Sequence, residues 1–438
     1  MLARDGTRPR ALRILYINQD FLPEVGAGPA RLSEMGRHWV SRGAEVTVIA
    51  GVPTRRLPGR RDGERDPHYR GRWVTPEQWD GISAFRSWVF TGGGRGFIGK
   101  VLDNLSFAAT GYAAARRRIH RPDVIIASSP PFFPHMTGVA LARHYRVPLV
   151  LEVRDLWPDY LVEMGMLRQP QLQRALFALE RGLLRRAEHV VVVTDSFRRR
   201  ILDKGVAPDR VTVVPNGVDL DRYAADAPSA PLPDLGIPPD APVVGYLGTF
   251  GRGQALAQVV RAASRLAVRH PEVRVVLVGD GPDRAAVQQA LEETRAPNVV
   301  LHPPIPRDAT PAFYRRCDIC LVPLAPIPIF QETIPSKIFE VLASARPFVA
   351  SLGGEGARIT EASGAGIAVP PGDDAALADA VARLLQEPAS QRAARGHAGR
   401  AWVRAHYDRD QLASGYLDLL TRLGAASSIH APDSPVPA

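Results

Sequence analysis

The feature that most constrains this chain is an alternation sustained from one end to the other. Short runs of β-branched and aliphatic residues are separated by longer stretches with helical spacing. In the first half the runs fall at residues 12–18, 45–50, 123–128, 149–153, 190–194 and 211–214, with helical patterns between them, for example at 29–41, 100–120 and 171–186. The second half repeats the design at 243–247, 273–278, 298–301, 319–322, 347–350 and 367–369. Near-continuous apolar strands are buried on both faces, and strands joined by helices run parallel. The expectation is an α/β protein built of two consecutive doubly wound domains. A length of 438 residues is sufficient for two or three domains, each with its own core.

Breaks in the pattern suggest boundaries. Residues 1–11 read as a disordered start, 12–223 as the first domain, and the Pro- and Ala-rich stretch 224–241 as a linker. Residues 242–406 read as the second domain. A last helical pattern at 407–424 comes too late to belong to its sheet, and 425–438 reads as a disordered tail. Residues 52–79, polar and broken by proline, read as a long excursion, and the glycine-rich 92–96 as a flexible loop.

No run of about 18 apolar residues occurs, so no spanning helix is expected. Residues 1–10 are polar and basic, which does not suggest a secretory leader, and two cysteines fit a reducing cytoplasm. The net charge of +10 comes almost wholly from arginine, clustered at 55–56, 60–61, 116–118, 185–186 and 198–200. Two readings stay open: adhesion to an anionic membrane surface, which would place the protein on the inner face of the cell membrane, or solvated helix faces. A nucleic-acid partner is not expected, because no interleaved aromatics accompany the charge.

In wound α/β domains ligands gather at the carboxyl ends of the strands. Gly26-Ala27-Gly28 follows the first strand, but Arg31 occupies the third position of a dinucleotide fingerprint; a tight turn and a phosphate approach both fit. Gly248-Thr249-Phe250-Gly251-Arg252-Gly253-Gln254 and Gly279-Asp280-Gly281-Pro282 follow the first two strands of the second half, where glycine lets backbone N–H groups approach a diphosphate. Arg154 and Asp155 close a buried strand, and either form a local ion pair or put Asp155 into a cleft. Between Glu332 and Glu340 lie Pro335, Ser336 and Lys337. A helix starting at Pro335 puts Lys337 and Glu340 on one face, beside free N–H groups, which suits an anion with a hydroxylated neighbour such as a sugar nucleotide. Cys317 and Cys320 lack a second pair, and His135 and His302 lack partners at metal spacing; all four read as structural, and no metal is expected.

Together these residues resemble glycosyltransferase family 4, retaining enzymes of the GT-B fold, in which two Rossmann-like domains face each other across a cleft. The most specific stretch is Pro335-Ser336-Lys337-Ile338-Phe339-Glu340, with Gly353-Gly354-Glu355 and Gly366-Ile367-Ala368-Val369-Pro370-Pro371-Gly372-Asp373. Pro215-Asn216-Gly217-Val218-Asp219 supports it, and Asp155-Leu156-Trp157-Pro158 with Ser128-Ser129-Pro130-Pro131 is similar to the fucosamine- and colanic-acid-type branch, which builds bacterial surface polysaccharides. The resemblance implies an NDP-sugar donor, UDP-linked by preference, a lipid-linked glycan acceptor and no cofactor. It implies donor contacts at Gly28, Thr249, Arg252, Gly279, Pro335 and Ser336. Glu340 would lie on the ribose, Ile305 at the base, Glu332 on the sugar ring, Lys337 on the diphosphate and Asp155 at the acceptor or reacting sugar. The last helix would pack back on the first domain.

Two departures stand out. Many members carry an Arg and a Lys where this chain has Thr249 and Gln254, so Arg252 or Lys337 would supply that charge, and many have a histidine at the position of Arg154. The rival readings are an NDP-sugar 2-epimerase of the same design and a non-catalytic scaffold. An oxidoreductase is disfavoured by the broken glycine fingerprint.

Overall fold

The computed structural model describes residues 10–24, 26–54, 66–91 and 97–428. The chain divides into two compact units, residues 1–216 with 409–438, and residues 217–408.

The first unit runs β1 (Arg13–Ile17), α1 (Ala27–Ser41), β2 (Glu45–Gly51), β3 (Val74–Trp79), β4 (Ile82–Ser87), α2 (Phe97–Arg118), β5 (Val124–Ser129), α3 (Pro134–Tyr145), β6 (Leu149–Val153), α4 (Trp157–Glu163), α5 (Pro170–Leu184), β7 (His189–Val192), α6 (Asp195–Asp203) and β8 (Val211–Val213). Its sheet has the order β3-β4-β2-β1-β5-β6-β7-β8, parallel except for the pairing of β3 with β4. The central strands β5 and β6 are buried at every position, which is why they read as unbroken apolar runs.

The hairpin β3–β4 corrects the reading of 52–79 as irregular. Its turn is Asp80-Gly81, both at positive φ (48° and 82°), the backbone a two-residue hairpin needs. β3 and β4 were hard to see because they carry charge inward. Arg86 is fully buried and meets Glu77 at 3.0 Å, and Glu77 also accepts from Tyr69 Oη (2.6 Å) and Trp79 Nε1 (2.9 Å). The glycine loop 92–96 and the arginines at 55–56 and 60–61 lie outside the described residues.

The second unit runs β9 (Val243–Leu247), α7 (Leu256–Arg269), β10 (Arg274–Val278), α8 (Arg284–Thr294), β11 (Val299–His302), α9 (Thr310–Arg316), β12 (Ile319–Pro323), α10 (Ser336–Ala343), β13 (Phe348–Ser351), α11 (Gly354–Ala362), β14 (Gly366–Val369), α12 (Asp374–Gln386) and α13 (Ala389–Tyr407). Its sheet has the order β11-β10-β9-β12-β13-β14, and every pairing is parallel. Crossing from β9 to β12 reverses the strand order, and ligands of wound sheets sit at such a switch point.

Residues 224–241 do not act as a linker. Leu235 and Tyr223 are buried in the same core as Val243 and Phe339, and Arg316 donates to the carbonyls of Pro239 and Ala241, both at 2.9 Å. The Pro- and Ala-rich composition marks an extended segment fastened by arginines, and the division between units falls at Asn216/Gly217 instead. Similarly, Tyr407 closes α13, and the Val218 N–H donates to its carbonyl at 3.0 Å.

The final helix, α14 (Arg409–Ser428), returns to the first unit and extends into the stretch read as a tail. It lies on α1. Trp39, fully buried, donates from Nε1 to Ala413 O (2.9 Å) and meets Tyr416 edge-on at 5.4 Å, while Arg409 pairs with Glu34. Burying an indole of this size with its N–H satisfied is the kind of contact whose truncation to alanine costs about 3–5 kcal/mol.

Candidate functional site

In the second unit the carboxyl ends of β9, β10 and β12 are fitted together by glycine. A side chain at Gly279 (φ +145°) would run into the carbonyl of Gly248, and one at Gly281 into that of Phe250. The loops are also bonded directly: Gly248 N–H to Val278 O (2.9 Å), Phe250 N–H to Asp280 O (2.9 Å) and Gly279 N–H to His302 O (3.0 Å). The Gly279 amide is therefore not free for a diphosphate. Its glycine is required by the close approach of two backbones. Gly253 accommodates the Phe330 ring, and its carbonyl accepts from Ala325 N–H (2.9 Å), drawing in the turn Pro328–Gln331 that leads to Glu332. Gly354 (φ +62°) packs directly on the carbonyl of Gln331.

These contacts set the start of α10. Pro335 is the N-cap in extended conformation (φ −62°, ψ 126°), so the helix begins at Ser336, one residue later than expected, with no side-chain cap. Lys337 extends from the first turn to Gly248, its ammonium 4.8 Å from the Tyr246 ring centroid. A cation–π contact satisfies part of the charge and leaves the ammonium protons available for an anion. Glu340, one turn on, accepts from Tyr314 Oη at 3.1 Å and also from the hydroxyl of Tyr223. Burial first, and then the Glu340 charge, pushes both phenols well above their ordinary pKa, so they stay donors at any working pH. Lys337 sits over the Tyr246 ring while Glu340 is held by Tyr314. One is turned to β9, the other to α9.

Among the remaining expected donor residues, Thr249 is exposed and accepts from Tyr246 Oη through its carbonyl (2.8 Å). Arg252 is exposed on the turn Arg252–Gln254, and Ile305, half-buried after β11, packs on the core. Glu332 is half-buried at the end of its turn. Tyr223, Tyr314 and Gln258 were not singled out from sequence. Gln258 ties two strand ends, donating to Ser351 Oγ (2.9 Å) and accepting from Gly372 N–H (3.1 Å).

In the first unit the corresponding edge is built from charge. Glu152, at the end of β6, is fully buried; its Oε1 accepts from Arg31 Nε (3.1 Å) and Nη2 (3.0 Å), and its Oε2 from Ser128 Oγ (2.8 Å) and the hydroxyl of Tyr16. Burial opposes its ionisation, but the Arg31 and Arg154 guanidiniums and these hydroxyls together bring Glu152 below the ordinary carboxylate value. Arg31 also donates to Pro215 O (2.6 Å) and Val214 O (3.0 Å), fixing the loop after β8. Arg31 thus has a structural duty at the position of the missing third glycine. Gly28 lies under the Arg154 guanidinium, and Asp155 is exposed beside it, at the start of α4.

His135 is buried, its Nε2 3.3 Å from the Glu152 carbonyl, and burial pulls its pKa down to about 4. It is a neutral hydrogen-bonding group. His302 contacts Pro303 O through Nδ1 (2.7 Å). Cys317, at the end of α9, and Cys320, in β12, are both free and buried, and burial pushes the Cys317 thiol well up, the opposite of a reactive thiol. Among the described residues no group of three His, Cys, Asp or Glu could hold a metal.

Residues 26–217 match the family described as glycosyl transferase 4-like domain, and residues 241–387 match glycosyl transferases group 1. A putative colanic acid biosynthesis glycosyl transferase of Escherichia coli K12 is 25% identical over 340 residues, 76% of this chain and 81% of that protein. Among solved structures, sucrose-phosphate synthase from Thermosynechococcus elongatus superposes with a TM-score of 0.73 at 20% identity, over 95% of this chain and 100% of that one. HepE from Anabaena in complex with UDP-glucose superposes at 0.67 and 17% identity, over 93% and 99%.

Proposed function

We propose that this chain, a glycosyltransferase of the GT-B fold, moves a sugar with retention of configuration from a nucleoside diphosphate donor to a lipid-linked glycan, in the synthesis of bacterial surface polysaccharide. The observation that carries the donor assignment is the first turn of α10: an uncapped helix start, the Lys337 ammonium at Gly248, and the Glu340 carboxylate fixed by two buried tyrosines. A carboxylate whose position is set by two phenols keeps lone pairs for the vicinal hydroxyls of a ribose. The ammonium and helix start take the diphosphate, where negative charge grows as the sugar–oxygen bond breaks. In this reading Thr249, Arg252, Pro335 and Ser336, near the same strand ends, contact the donor, and Ile305 meets the base. Glu332 would hold sugar hydroxyls and Asp155 would orient the acceptor. HepE was crystallised with UDP-glucose, which favours a UDP-linked donor here.

In the reaction the acceptor hydroxyl oxygen bonds to the anomeric carbon on the face the diphosphate leaves. The carbon–oxygen bond to the diphosphate breaks, and the hydroxyl proton passes to the departing phosphate oxygen. No protein base is required. Calorimetric titration with UDP-, GDP- and dTDP-sugars tests the donor, and Glu340→Ala with unchanged affinity for every one would end the assignment. NMR of the product's anomeric configuration tests retention. Incubating donor alone and finding an epimer would replace transfer by 2-epimerisation.

The colanic-acid-type role rests on the similarity to the Escherichia coli relative, and the lipid-linked acceptor only on the family resemblance of the sequence. Attachment to the inner face of the cell membrane is supported by one surface of the first unit. A cavity of about 280 Å³ is lined by Arg72, Trp73, Arg117 and Arg118, with Trp73 69% exposed. Basic side chains beside an exposed indole suit an anionic bilayer interface. Among the described residues no helix is long and apolar enough to cross a membrane. Flotation with anionic liposomes tests the attachment, and binding that ignores salt and lipid charge would reject it.

A further inference from the structure

The cavity beside Trp73 is walled by one stripe of α2 and by the residues that lead into β3. Thr110, Ala113, Ala114, Arg117 and Arg118 recur at i, i+3, i+4, i+7 and i+8, so they share a face of the helix. Thr110 holds that face in place: its hydroxyl donates to Trp88 O (2.6 Å), and the Trp88 N–H donates in turn to Trp73 O (3.1 Å). Helix and strand entry are thus fixed on either side, and the two alanines are small enough to leave the space between them open. At about 280 Å³ it lies just below the roughly 300–1,000 Å³ of sites that enclose a drug-sized ligand. That size suits the head of a larger molecule.

Its walls carry charge that the protein does not answer. Among the described residues Arg72, Arg117 and Arg118 form no ion pair and no side-chain hydrogen bond. Their neighbour Arg116 differs, lying over the Tyr112 ring at 6.0 Å. Glu77, the carboxylate of β3, is engaged by Arg86, Tyr69 and Trp79. Three guanidiniums around one space repel one another, and an anion placed among them reverses the sign of that interaction. A diphosphate, with charge on each phosphorus, matches them better than the single charge of a phosphodiester, and offers the paired oxygens that guanidinium forks take. The same cavity is lined by Trp73, which is largely exposed and has its ring 6.2 Å from that of Trp88. An indole left at such a place suits the level where hydrocarbon meets polar heads. A ligand that uses both features carries a hydrocarbon chain directly on its phosphates.

We propose that this cavity binds the diphosphate head of the acceptor's lipid anchor, with Arg72, Arg117 and Arg118 on the phosphates and Trp73 against the first carbons of the chain. The inference rests on the lipid-linked acceptor proposed above and names the part of it that the first unit reads. The full chain, in excess UDP so that the proposed donor site is filled, is titrated calorimetrically with monomeric farnesyl diphosphate. Wild type is compared with Arg117→Gln, Trp73→Ala and Ala113→Leu, the last of which fills the cavity and leaves every charge in place. Each variant is expected to bind about ten-fold or more weakly at the wild-type melting temperature, since all three positions are exposed or half-buried. Monomeric dihexanoyl phosphatidylglycerol, a phosphodiester, is expected to bind the wild type about ten-fold or more weakly than farnesyl diphosphate does. Absence of saturable binding overturns the proposal. So does equal affinity in wild type and Ala113→Leu, which would reduce the site to diffuse charge, or equal affinity for the phosphatidylglycerol, which would make it a general membrane contact. If no UDP-sugar binds while farnesyl diphosphate still separates the wild type from the three variants, the donor reading fails and this site stands.

Discussion

In the first unit the ends of β1, β5 and β6 are joined by side-chain charge. Glu152 binds Arg31 through one oxygen, Tyr16 and Ser128 through the other, and Arg31 continues to the carbonyls of Val214 and Pro215. At the same edge of the second unit backbone lies on backbone: Gly279 on Gly248, Gly281 on Phe250, Gly354 on Gln331. The two solutions fail differently. A charge network tolerates small changes in shape and not the loss of one partner, whereas a glycine clasp tolerates changes of charge and not a single added carbon. They also leave different groups available. The clasp uses no side chains, so Lys337 and Glu340 can be devoted to a ligand, while most of the polar side chains in the first unit are occupied with one another.

The sharpest break of this contrast is Glu152→Gln, which leaves the buried Arg31 without its counter-ion. About 3–5 kcal/mol of stability should be lost, and hydrogen exchange should rise in β5 and β6 while β12 keeps its protection. Equal loss in both units would show that they do not hold their edges independently. Next is Lys337→Gln, which changes a charge and no packing glycine. Turnover of the sugar nucleotide should fall about 10²–10³-fold with the melting temperature nearly unchanged; a matching loss of stability would make the lysine part of the clasp.

A third effect belongs to the first unit alone. Burial holds His135 at about 4 against 6.5 for a free imidazole, so the folded state favours the neutral ring. Stability is then complete above pH 6.5 and declines as the pH falls to 4, by about 3 kcal/mol in all. Denaturant melts across that range should show the decline, and His135→Gln should flatten it. Comparable to Glu152→Gln, but in the other unit, is Gly279→Ala. With φ at +145° and the Gly248 carbonyl in the way, backbone strain and the clash together should cost about 3–5 kcal/mol, read as lost protection at β9 and β10 with β5 and β6 untouched.

The wound sheets were legible in the sequence because parallel strands buried on both faces have nowhere to put a polar residue, so each appears as an apolar run. The β3–β4 hairpin was not, since it hides Arg86 against Glu77 and contains Pro76. The Asp80-Gly81 dipeptide was the signal that could have found it. The proposed donor site was legible to the extent that it is local: Pro335, Ser336, Lys337 and Glu340 lie within one turn or two. What fixes Glu340 was not, because Tyr314 and Tyr223 arrive from distant stretches, the latter next to a segment whose prolines imitate a linker. Arg31 was noticed only as a broken fingerprint, since its partner Glu152 is 121 residues away.

Because α14 belongs with residues before Asn216, the whole second unit is inserted between two parts of the first. On the ribosome the earliest strands therefore emerge long before their last partner. Trp39 has no Ala413 carbonyl and no Tyr416 ring until the chain is almost finished, whereas residues 217–408 are synthesised without interruption. The half begun first is completed last, and a nascent chain halted before Arg409 would present an open indole to the cell's chaperones.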